Sequence, residues 1–478
     1  MSTRPTPTAP SYEDLQRENA ELRAQVAELQ ARSARLEAAL VTQQAELAAA
    51  KRQQHRQAAP FSTGERVSQP KRPGRRPGGG RFEYRRAPEA AAVTGMPVAV
   101  PVTSAVCPRC GGTLEPPTVE PAWVTDLPES PRPQVTEYRV AVCRCQRCGR
   151  VVRGTHPDVA ADQYGATAHR LGQRLLATAH VLHYGLGVPQ RKVPAVLQAV
   201  AGAQVTQSAL AQDAQRRTAG AVGAVYQELR AELREAPAVH TDDTGWRVGG
   251  AMAFLMVFRS LRTTVYQIRP RHRNEEVREL IPGDYAGVVI TDGGRSYDAK
   301  ALAEVQQQKC LSHLLRGAQA VLVTKRGRGR SFAKQLKALL AEALALRRAQ
   351  RTSGLPDYAE RVRDIEQRLT HHLHDRVVPD RDNQRLLDEV GRHHDKGQVL
   401  RFLHNPQVEP TNNIAERALR PAVIARKVSQ CSKTDRGADS FAAFISLCQT
   451  FGQRGIAPVT GLTALFRSGH LPLPSATR

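Results

Sequence analysis

The chain has 478 residues, with 69 Lys and Arg against 45 Asp and Glu, which gives a formal net charge of +24. This length exceeds one ordinary core and indicates roughly two to four domains; the charge excess favours a polyanion, nucleic acid before an anionic membrane surface, unless it reflects composition alone. The sequence has no apolar run of the roughly 18 residues that a membrane helix needs and no signal-peptide core near its start. We therefore expect a cytoplasmic, nucleoid-associated protein without a membrane partner.

A heptad repeat predicts a coiled coil within residues 1–56. Leucine recurs every seven residues, at Leu15, Leu22, Leu29 and Leu36. Asn19 lies on the other seam, and one buried Asn among apolar seam positions is typical of two-stranded coiled coils, so we expect a homodimer or a larger assembly. The alternative is a single amphipathic helix that folds back onto its own chain.

Residues 57–100 are predicted to form a basic flexible linker. Its segment "QPKRPGRRPGGGRFEYRRAP" is rich in Pro and Gly, which prevent regular structure, and in Arg, which keeps the chain solvated. We expect Arg72, Arg75 and Arg76 to contact DNA phosphates. An extended arm in the minor groove is the more specific alternative.

Two Cys-x-x-Cys turns, in "CPRCGG" and "CRCQRCGR", predict a zinc-binding domain over residues 101–158. Two such turns can supply four thiolates to one tetrahedral Zn²⁺. The candidate ligands are Cys107, Cys110, Cys145 and Cys148. Between the turns, "VTDLP" and "VTEYRVAV" are predicted strands, and alternation along the second would place Cys143 on the same face as Cys145. A structural zinc ribbon is the main interpretation, and DNA contacts by its arginines are an addition.

Residues 159–232 are predicted to form a helical, DNA-binding domain. The segment "VPQRKVPAVLQAVAGAQVTQSALAQDAQRRT" predicts a helix, a turn at Gly202 and a second helix from near Thr206. This spacing is compatible with a helix-turn-helix. A plain helical hairpin has the same pattern, so both interpretations stay open.

Residues 233–430 are predicted to form an α/β catalytic core, because the pattern changes to strands from Pro237. The segments "PAVHTDDTGWRV", "AMAFLMVFRS" and "TTVYQIRP" predict an antiparallel meander. "NEEVRELIP" predicts a short helix, and "AGVVITDGGRSYD" predicts a buried strand that ends at Asp292. "VQQQKCLSHLLRG" predicts a fifth strand or the start of a helix.

Asp242 and Asp292 follow apolar strands, where a bare carboxylate is costly unless it is hydrated, paired or bound to metal. Two divalent ions held by carboxylates can clamp the attacking and leaving oxygens of a phosphodiester. Such a site needs roughly three acids from separate elements, and Glu416 in "PTNNIAERALRP" is the third candidate. We expect Mg²⁺ or Mn²⁺ at this site, and Asp243 is an alternative to Asp242 as a ligand.

The helix that carries Glu416 is expected to begin at a cap formed by Thr411 or Asn412. Basic residues further along it would lie beside the metal site and meet phosphates. An ordinary ion pair between Glu416 and Arg420, four residues apart, is the structural alternative. The residues of this helix assigned to DNA contacts are Arg417, Arg420, Arg426 and Lys427.

The remaining segments are a helical insertion at about residues 317–405 and a C-terminal helical segment at residues 431–478. The insertion is rich in Arg and His, and its histidines are interpreted as solvated, because no cysteine or paired spacing supports a metal site. These histidines are His371, His372, His374, His393 and His394. Cys310 and His313 in "CLSH" either pack beneath the acid site or help to position the substrate.

Together these segments resemble the transposases of insertion sequence family 66. The resemblance rests on "HTDDT", "VVITDGG" followed by "YD", "CLSH", "NNIAERALRP" with a later Arg-Lys pair, and the tail "SFAAFISLCQTFGQRGIAPVTGLTALF", and it covers nearly the whole chain. It implies a DDE transposase with a ribonuclease-H-like core, whose acid triad is Asp242, Asp292 and Glu416. The family usually has Glu where this chain has Asp243, and the acid before it is the family's ligand.

The resemblance implies an enzyme that cuts the ends of its element and joins them to target DNA. Its partners would be the terminal inverted repeats, the target DNA, a second copy of the chain and, as a further candidate, accessory proteins of the element. A non-catalytic repressor of the element is the alternative from another class, but it has no use for repelling carboxylates near DNA. A nuclease of another role, such as junction resolution, would not need the zipper and the cysteine turns.

Overall fold

The structure is a computed structural model. It describes residues 16, 17, 20–34, 36, 37, 43, 86–125, 127, 128, 130–374 and 378–471. The chain divides into two compact units, Met1–Val124 and Thr125–Arg478, and each is described by itself. The predicted seam residues Leu15 and Asn19 and the predicted phosphate contacts Arg72, Arg75 and Arg76 lie outside the described residues.

In the first unit, residues 20–34 form helix α1. Its heptad leucines Leu22 and Leu29 are 52% and 63% exposed. From residue 86 onward the unit has little regular structure beyond a 3₁₀ turn at Ala90–Ala92 and a bridge between Val106 and Thr113. The helix predicted from the heptad is therefore present in the described residues, with an apolar seam that its own unit does not cover.

The second unit is a mixed α/β structure. In chain order its helices and strands are β1 (Val142–Arg144), β2 (Val151–Arg153), α2 (Gln173–His180), α3 (Val193–Ala201), α4 (Gln207–Thr218), α5 (Ala221–Arg234), β3 (Ala238–Val248), β4 (Ala251–Arg259), β5 (Thr264–Arg269), α6 (Asn274–Arg278), β6 (Val288–Thr291), β7 (Gln306–Lys309), α7 (Leu311–Thr324), α8 (Ser331–Ser353), α9 (Tyr358–Leu373), α10 (Arg381–Asp395), α11 (Arg401–His404), α12 (Asn413–Ser429), α13 (Asp435–Gln453) and α14 (Pro458–Ser468). The predicted meander, short helix and buried strand are confirmed, and "VQQQKCLSHLLRG" supplies both the fifth strand and a helix start.

The predicted helix–turn–helix spacing is also confirmed. Gly202 ends α3 in the left-handed region with φ of 61°, which glycine adopts without steric cost. Thr206 then caps α4, because its hydroxyl accepts a hydrogen bond from the Ala209 N–H.

The main sheet has five strands in the order β5-β4-β3-β6-β7. Strand β4 is antiparallel to β3 and to β5, whereas β3, β6 and β7 run parallel. The carboxyl end of β6 therefore lies beside the first half of β3. Strand β3 does not end at its acids, as the sequence suggested, but continues past Asp242 to Val248, because it pairs with β4 over that stretch. The candidate active site lies at the carboxyl end of β6.

Helix α13 covers the free edge of β5. The Ser446 hydroxyl accepts from the Tyr266 N–H at 2.8 Å, and the Thr450 hydroxyl bonds both the N–H and the carbonyl of Thr264. These hydroxyls supply hydrogen-bond partners to backbone groups of β5 that would otherwise have none. Unpaired backbone groups on an edge strand can pair with strands of other chains, which this helix prevents. The C-terminal segment is thus part of the core.

One hydrophobic core joins helices α2, α4 and α5, strands β3 to β5 and helices α12 to α14. The boundaries at residues 232 and 430 therefore do not separate independent cores, and residue 232 lies inside α5. The local sequence pattern predicted correctly where the secondary structure changes. Which helices and strands bury their apolar faces against each other depends on contacts between distant segments.

The insertion has a core of its own, built from α7 to α10 and packed against β6. It starts earlier than predicted, because residue 317 lies within α7. The interpretation of its histidines as solvated is wrong for two of them. His372 is 4% exposed and stacks on Phe332, and His393 is 2% exposed and bonds Gln398 at 3.0 Å. Imidazole can pack as an aromatic ring once one nitrogen has a partner.

The predicted strands between the cysteine turns are also wrong. The described residues of "VTDLP" have no strand, and in "VTEYRVAV" only Val142 belongs to one. Pro128, Pro131 and Pro133 have no N–H to donate to a ladder, which explains why this stretch does not pair. Strand β1 ends at Arg144, so Cys143 lies on it and Cys145 lies beyond it.

Candidate active site

Asp242 within β3 and Asp292 just after β6 are neighbours. Strands β3 and β6 are parallel with His240 opposite Ile290, so Asp242 and Asp292 stand two residues further along adjacent strands. Neighbouring strands are about 4.8 Å apart. Both carboxylates are partly buried. The structure thus brings together two acids that are 50 residues apart in the sequence.

Alternation along β3 separates Asp242 from Asp243. Asp243 lies on the same face as Thr241, whose hydroxyl is 2.9 Å from that of Tyr297, and its carboxylate is 3.1 Å from His272. Asp242 lies on the opposite face, with His240 and Thr244. That second face is the one on which helix α12 packs, as the contacts of its first and last turns show.

Buried Asn412 fastens the start of α12 to the sheet. Its amide donates to the Thr241 carbonyl at 2.7 Å, its Oδ1 is 3.2 Å from His240 Nδ1, and its backbone N–H lies 3.1 Å from Cys310 Sγ. Asn412 occupies the cap position, but its side chain makes no capping bond, contrary to the prediction. The side chain serves the sheet instead, because a buried amide needs partners for all its groups.

Arg426 fastens the other end of α12. Its guanidinium donates to the Thr244 hydroxyl at 2.9 Å and to the Gly245 carbonyl. Glu416 lies in the first turn of this doubly anchored helix and is 23% exposed. The helix is therefore held in a fixed position over the sheet face that carries Asp242.

The three acids affect each other electrostatically. Burial raises the pKa of Asp242 to about 7, and the charges of Asp292, Asp243 and Glu416 act in the same direction. In the described part of the chain, no three or more His, Cys, Asp and Glu side chains are close enough together to hold a metal ion in this conformation. The acids share one electrostatic environment without being arranged as a closed ligand cluster.

Helix α7 adds two residues to this site. The sequence did not assign Arg316, and it left two roles open for His313. Arg316 lies 3.7 Å from Glu416 and donates to His313 Nε2 at 2.7 Å. His313 Nδ1 is buried and has no hydrogen-bond partner in the described residues. Burial lowers the pKa of His313, and the charges of Asp292 and Glu416 oppose this effect. His313 therefore lies beside the acids as a neutral side chain, whereas Cys310 is a buried packing residue.

Two further contacts fix the loop after Asp292. His272 Nε2 is 3.3 Å from the Ser296 hydroxyl, which links this loop to Asp243. Asp298 accepts from Lys309 Nζ at 2.8 Å, and Lys309 is 1% exposed. Neither contact was predicted from the sequence. A lysine at the end of a buried strand was a signal that could have found the second.

The predicted DNA contacts on α12 divide into two groups. Arg417, Arg420 and Lys427 are exposed. Arg426 is partly buried, and its guanidinium bonds the backbone and side chain of β3. Arg426 therefore anchors the helix in this structure, where its guanidinium is engaged by β3.

The two cysteine turns, each in its own unit, have the same backbone geometry. In the first, the Cys107 N–H donates to the Gly112 carbonyl at 2.9 Å and the Gly111 N–H to the Cys107 carbonyl at 2.8 Å. In the second, the Cys145 N–H donates to the Arg150 carbonyl at 2.8 Å and the Gly149 N–H to the Cys145 carbonyl at 2.9 Å. Both turn glycines have positive φ, 74° and 70°, which a side chain would strain.

Backbone N–H groups prepare one thiol in each turn for deprotonation. The N–H of Arg109 is the main cause of a lowered pKa at Cys107, and the N–H of Cys148 has the same effect at Cys145. A thiolate is the form that binds metal. The local chemistry of each turn therefore fits a metal-ligating pair.

In the part of the chain that the structure describes, we find no helix that is long and apolar enough to cross a membrane. A search of curated proteins gave no match to this chain. Residues 169–440, more than half of the chain, match the family model described as "Transposase IS66 family". This match includes the five-stranded sheet, helices α2 to α12 and the three candidate acids. The chain belongs to the IS66 family of transposases.

Proposed function

We propose that this protein is a DDE-type DNA transposase that cuts the ends of its element and joins them to target DNA. The proposal rests on one observation above all: Asp242 and Asp292 lie on adjacent parallel strands, and the charges of Asp292 and Glu416 both act on Asp242. The strand order β5-β4-β3-β6-β7, in which β4 alone is antiparallel, supports a ribonuclease-H-like core. A repressor would not benefit from three mutually repelling acids beside DNA.

The donor chemistry of this site fits divalent ions. Asp242, Asp292 and Glu416 offer hard carboxylate oxygens, which Mg²⁺ and Mn²⁺ prefer. Two such ions, when bound, supply positive charge that activates a water or a 3′-hydroxyl and stabilises the charge that develops on the phosphate. The three acids would hold these ions, and the fixed position of α12 would keep Glu416 close enough to the two aspartates to serve as a ligand.

The chain's own basic residues would act on the phosphodiester. Arg316 stands at the rim of the site, next to Glu416, where its guanidinium can meet a phosphate oxygen. Arg417 and Arg420 lie one and four residues beyond Glu416 on α12. Their charges would orient the DNA backbone and add to the stabilisation of the transition state.

Cleavage of a labelled duplex tests this function. The duplex should carry an end of the element, and the purified chain should cut it with Mg²⁺ or Mn²⁺ but not with a chelator. Binding without cleavage at any metal concentration would support the repressor and contradict the transposase.

We expect Asp242→Asn to stabilise the metal-free protein by about 1–3 kcal/mol above pH 7. The protonated form of Asp242 is favoured in the folded state, because its pKa is raised from 3.8 to about 7. The stability that this protonation confers is complete below pH 3.8 and is lost as the pH rises through about 7. Urea unfolding in chelator at pH 6 and pH 8.5 measures the effect, which should be larger at pH 8.5.

The control for this prediction is Asp284→Asn. Asp284 is an exposed aspartate in the same core, and its substitution should leave the free energy of unfolding unchanged. A variant Asp242→Asn that is no more stable than wild type at pH 8.5 would mean that burial and the neighbouring acids do not penalise the charge of Asp242 in the folded protein.

We further propose that the thiolates of Cys107, Cys110, Cys145 and Cys148 hold one Zn²⁺ per chain. The equal geometry of the two turns supports two ligating pairs; that both pairs bind the same ion rests on their sequence pattern. Bound zinc would contribute folding free energy to a segment that has few buried residues.

Cys145→Ser is expected to remove the zinc and to unfold the cysteine segment while the catalytic core stays folded. Metal analysis and limited proteolysis measure the two effects. Cys143→Ser is the matched control, because Cys143 is an exposed cysteine two residues away that is not a predicted ligand. Full zinc content in Cys145→Ser would show that the ligands are different.

We also propose that α1 pairs with a second copy of the chain. The exposure of Leu22, Leu29 and Leu36 supports this assignment, since an apolar heptad seam gains stability by burial in a coiled coil. Such pairing would hold two element ends together.

A further inference from the structure

An exposed surface with basic residues at both ends leads away from the candidate active site along helix α7. Residues 305–341 contain eight Lys and Arg residues and no Asp or Glu. The exposed positions of α7 follow a spacing of three and four residues and therefore form one stripe. They are Arg316, Gln319, Ala320, Val323 and Thr324. The stripe begins at Arg316, which is 3.7 Å from Glu416.

The stripe ends at a loop of residues 326–330, here called the arginine loop. Arg326, Arg328 and Arg330 are exposed in it, and Lys334 is exposed in α8 just beyond it. Across the described residues, none of these four side chains has an ion-pair partner, whereas other basic residues of the insertion do. Unpaired cations at this density are suited to a polyanion.

The base of the arginine loop is fixed. Lys325 pairs with Asp380 at 2.6 Å and with Asp382 at 2.8 Å, both at the start of α10. Asn383 donates to the Gly329 carbonyl at 2.7 Å. The loop thus holds its arginines on a supported backbone, and the two nearby acids are both ion-paired with Lys325.

The length of α7 sets the distance between this loop and the acids. Helix α7 has 14 residues and rises 1.5 Å per residue, so the arginine loop is about 20 Å from the active-site end. Phosphates along one strand of a duplex recur about every 3.4 Å, so this distance spans about six base pairs.

We propose that α7 and the arginine loop form a track that binds the backbone of duplex DNA about six base pairs from the phosphate to be cut. The occupant is duplex DNA, because the stripe has a cation at the end beside the site proposed to cut DNA, Arg316, and a cluster of unpaired cations at its other end, the arginine loop. This inference rests on the proposed function, since it takes the acid site as the place of cleavage. Contacts of this kind would be independent of base sequence.

The test measures binding of a 30-base-pair duplex of arbitrary sequence to the full chain over a series of salt concentrations. Arg326→Ala with Arg328→Ala should weaken binding roughly tenfold and reduce the salt slope by about 2, since two phosphate contacts are lost. The matched control is Arg361→Ala with Arg363→Ala. It removes the same charge at the same spacing from exposed positions on α9 and should change binding less than about twofold.

A second measurement does not depend on substitution. Acetylation of Lys334, followed by mass spectrometry, should slow several-fold when the duplex is bound. Equal binding by the two double variants, or an unprotected Lys334, would overturn the track. If the variant Arg326→Ala with Arg328→Ala bound DNA normally but no longer bound an acidic protein, the DNA track would also be overturned. The surface would then be assigned to a protein partner. Wild-type cleavage is not used here, so failure of the track leaves the proposed chemistry standing.

Discussion

Asp292→Asn and Glu416→Gln are expected to abolish strand cleavage and strand transfer, by on the order of a thousandfold or more, while binding to element ends is retained. Each amide keeps the shape of the side chain and loses the charge that divalent ions need. Several kcal/mol of transition-state stabilisation depend on that charge, and each 1.4 kcal/mol corresponds to about a tenfold change in rate. Gel-based cleavage and strand-transfer assays, with binding measured in parallel, separate the two properties.

The pair of substitutions at Asp242 and Asp243 supplies the matched control. Asp242→Asn should behave as Asp292→Asn does, because Asp242 faces α12. Asp243→Asn should lower the rate less than about tenfold, since it weakens one hydrogen-bonded contact with His272 on the other sheet face. Wild-type cleavage in Glu416→Gln, with metal still required, would remove Glu416 from the mechanism. Equal losses at Asp242 and Asp243 would contradict the division of the two faces.

Asp298→Ala is expected to destabilise the folded core by about 3 kcal/mol, since it leaves a buried lysine charge without its carboxylate. Lys309 is 1% exposed, and burial already lowers its pKa even with Asp298 beside it. Urea unfolding at pH 7 measures the loss. The loss should shrink as the pH rises toward 9, because the folded variant then accommodates a neutral Lys309 while the unfolded chain still binds the proton.

The double variant Asp298→Ala with Lys309→Met separates the unpaired charge from a general packing defect. It should be more stable than Asp298→Ala alone, because the charge that lacks a partner is gone. A double variant that loses the sum of the two single effects would show that the pair is not coupled. The same variants should lower cleavage, since Asp298 closes the loop that starts at Asp292.

Local chemistry was enough to predict several parts of the molecule. The strand ending at Asp292 is a continuous apolar run, and the helix pair around Gly202 carries its own stop and start signals, a glycine with positive φ and a threonine cap. The three acids were nominated from charges next to apolar strands and at a helix start, with the family resemblance choosing Asp242 over Asp243, and their catalytic role stays a prediction. Such features depend on a few adjacent residues, so a sequence contains them in full.

Apart from the strands expected between the cysteine turns, the wrong or missing predictions concern contacts between distant segments. The sequence did not reveal that residues 431–478 share the core. Helix α13 is held in that core by hydrogen bonds to the edge of β5, which lies some 180 residues away in the chain. It did not reveal the cap-site Asn412 as a link to β3, or the buried His372 and His393. Each depends on which partner the fold supplies.

The choice between Asp242 and Asp243 shows the same division most clearly. The sequence by itself determined that two adjacent acids belong to one strand segment, and that a third acid stands on a later helix. A strand presents neighbouring side chains to opposite faces, so one of the two must face away. Only the tertiary structure decided which, because α12 packs on the face of His240 and Thr244 through Asn412 and Arg426. Helix packing, a long-range contact, thus turns a local pattern of acids into a site.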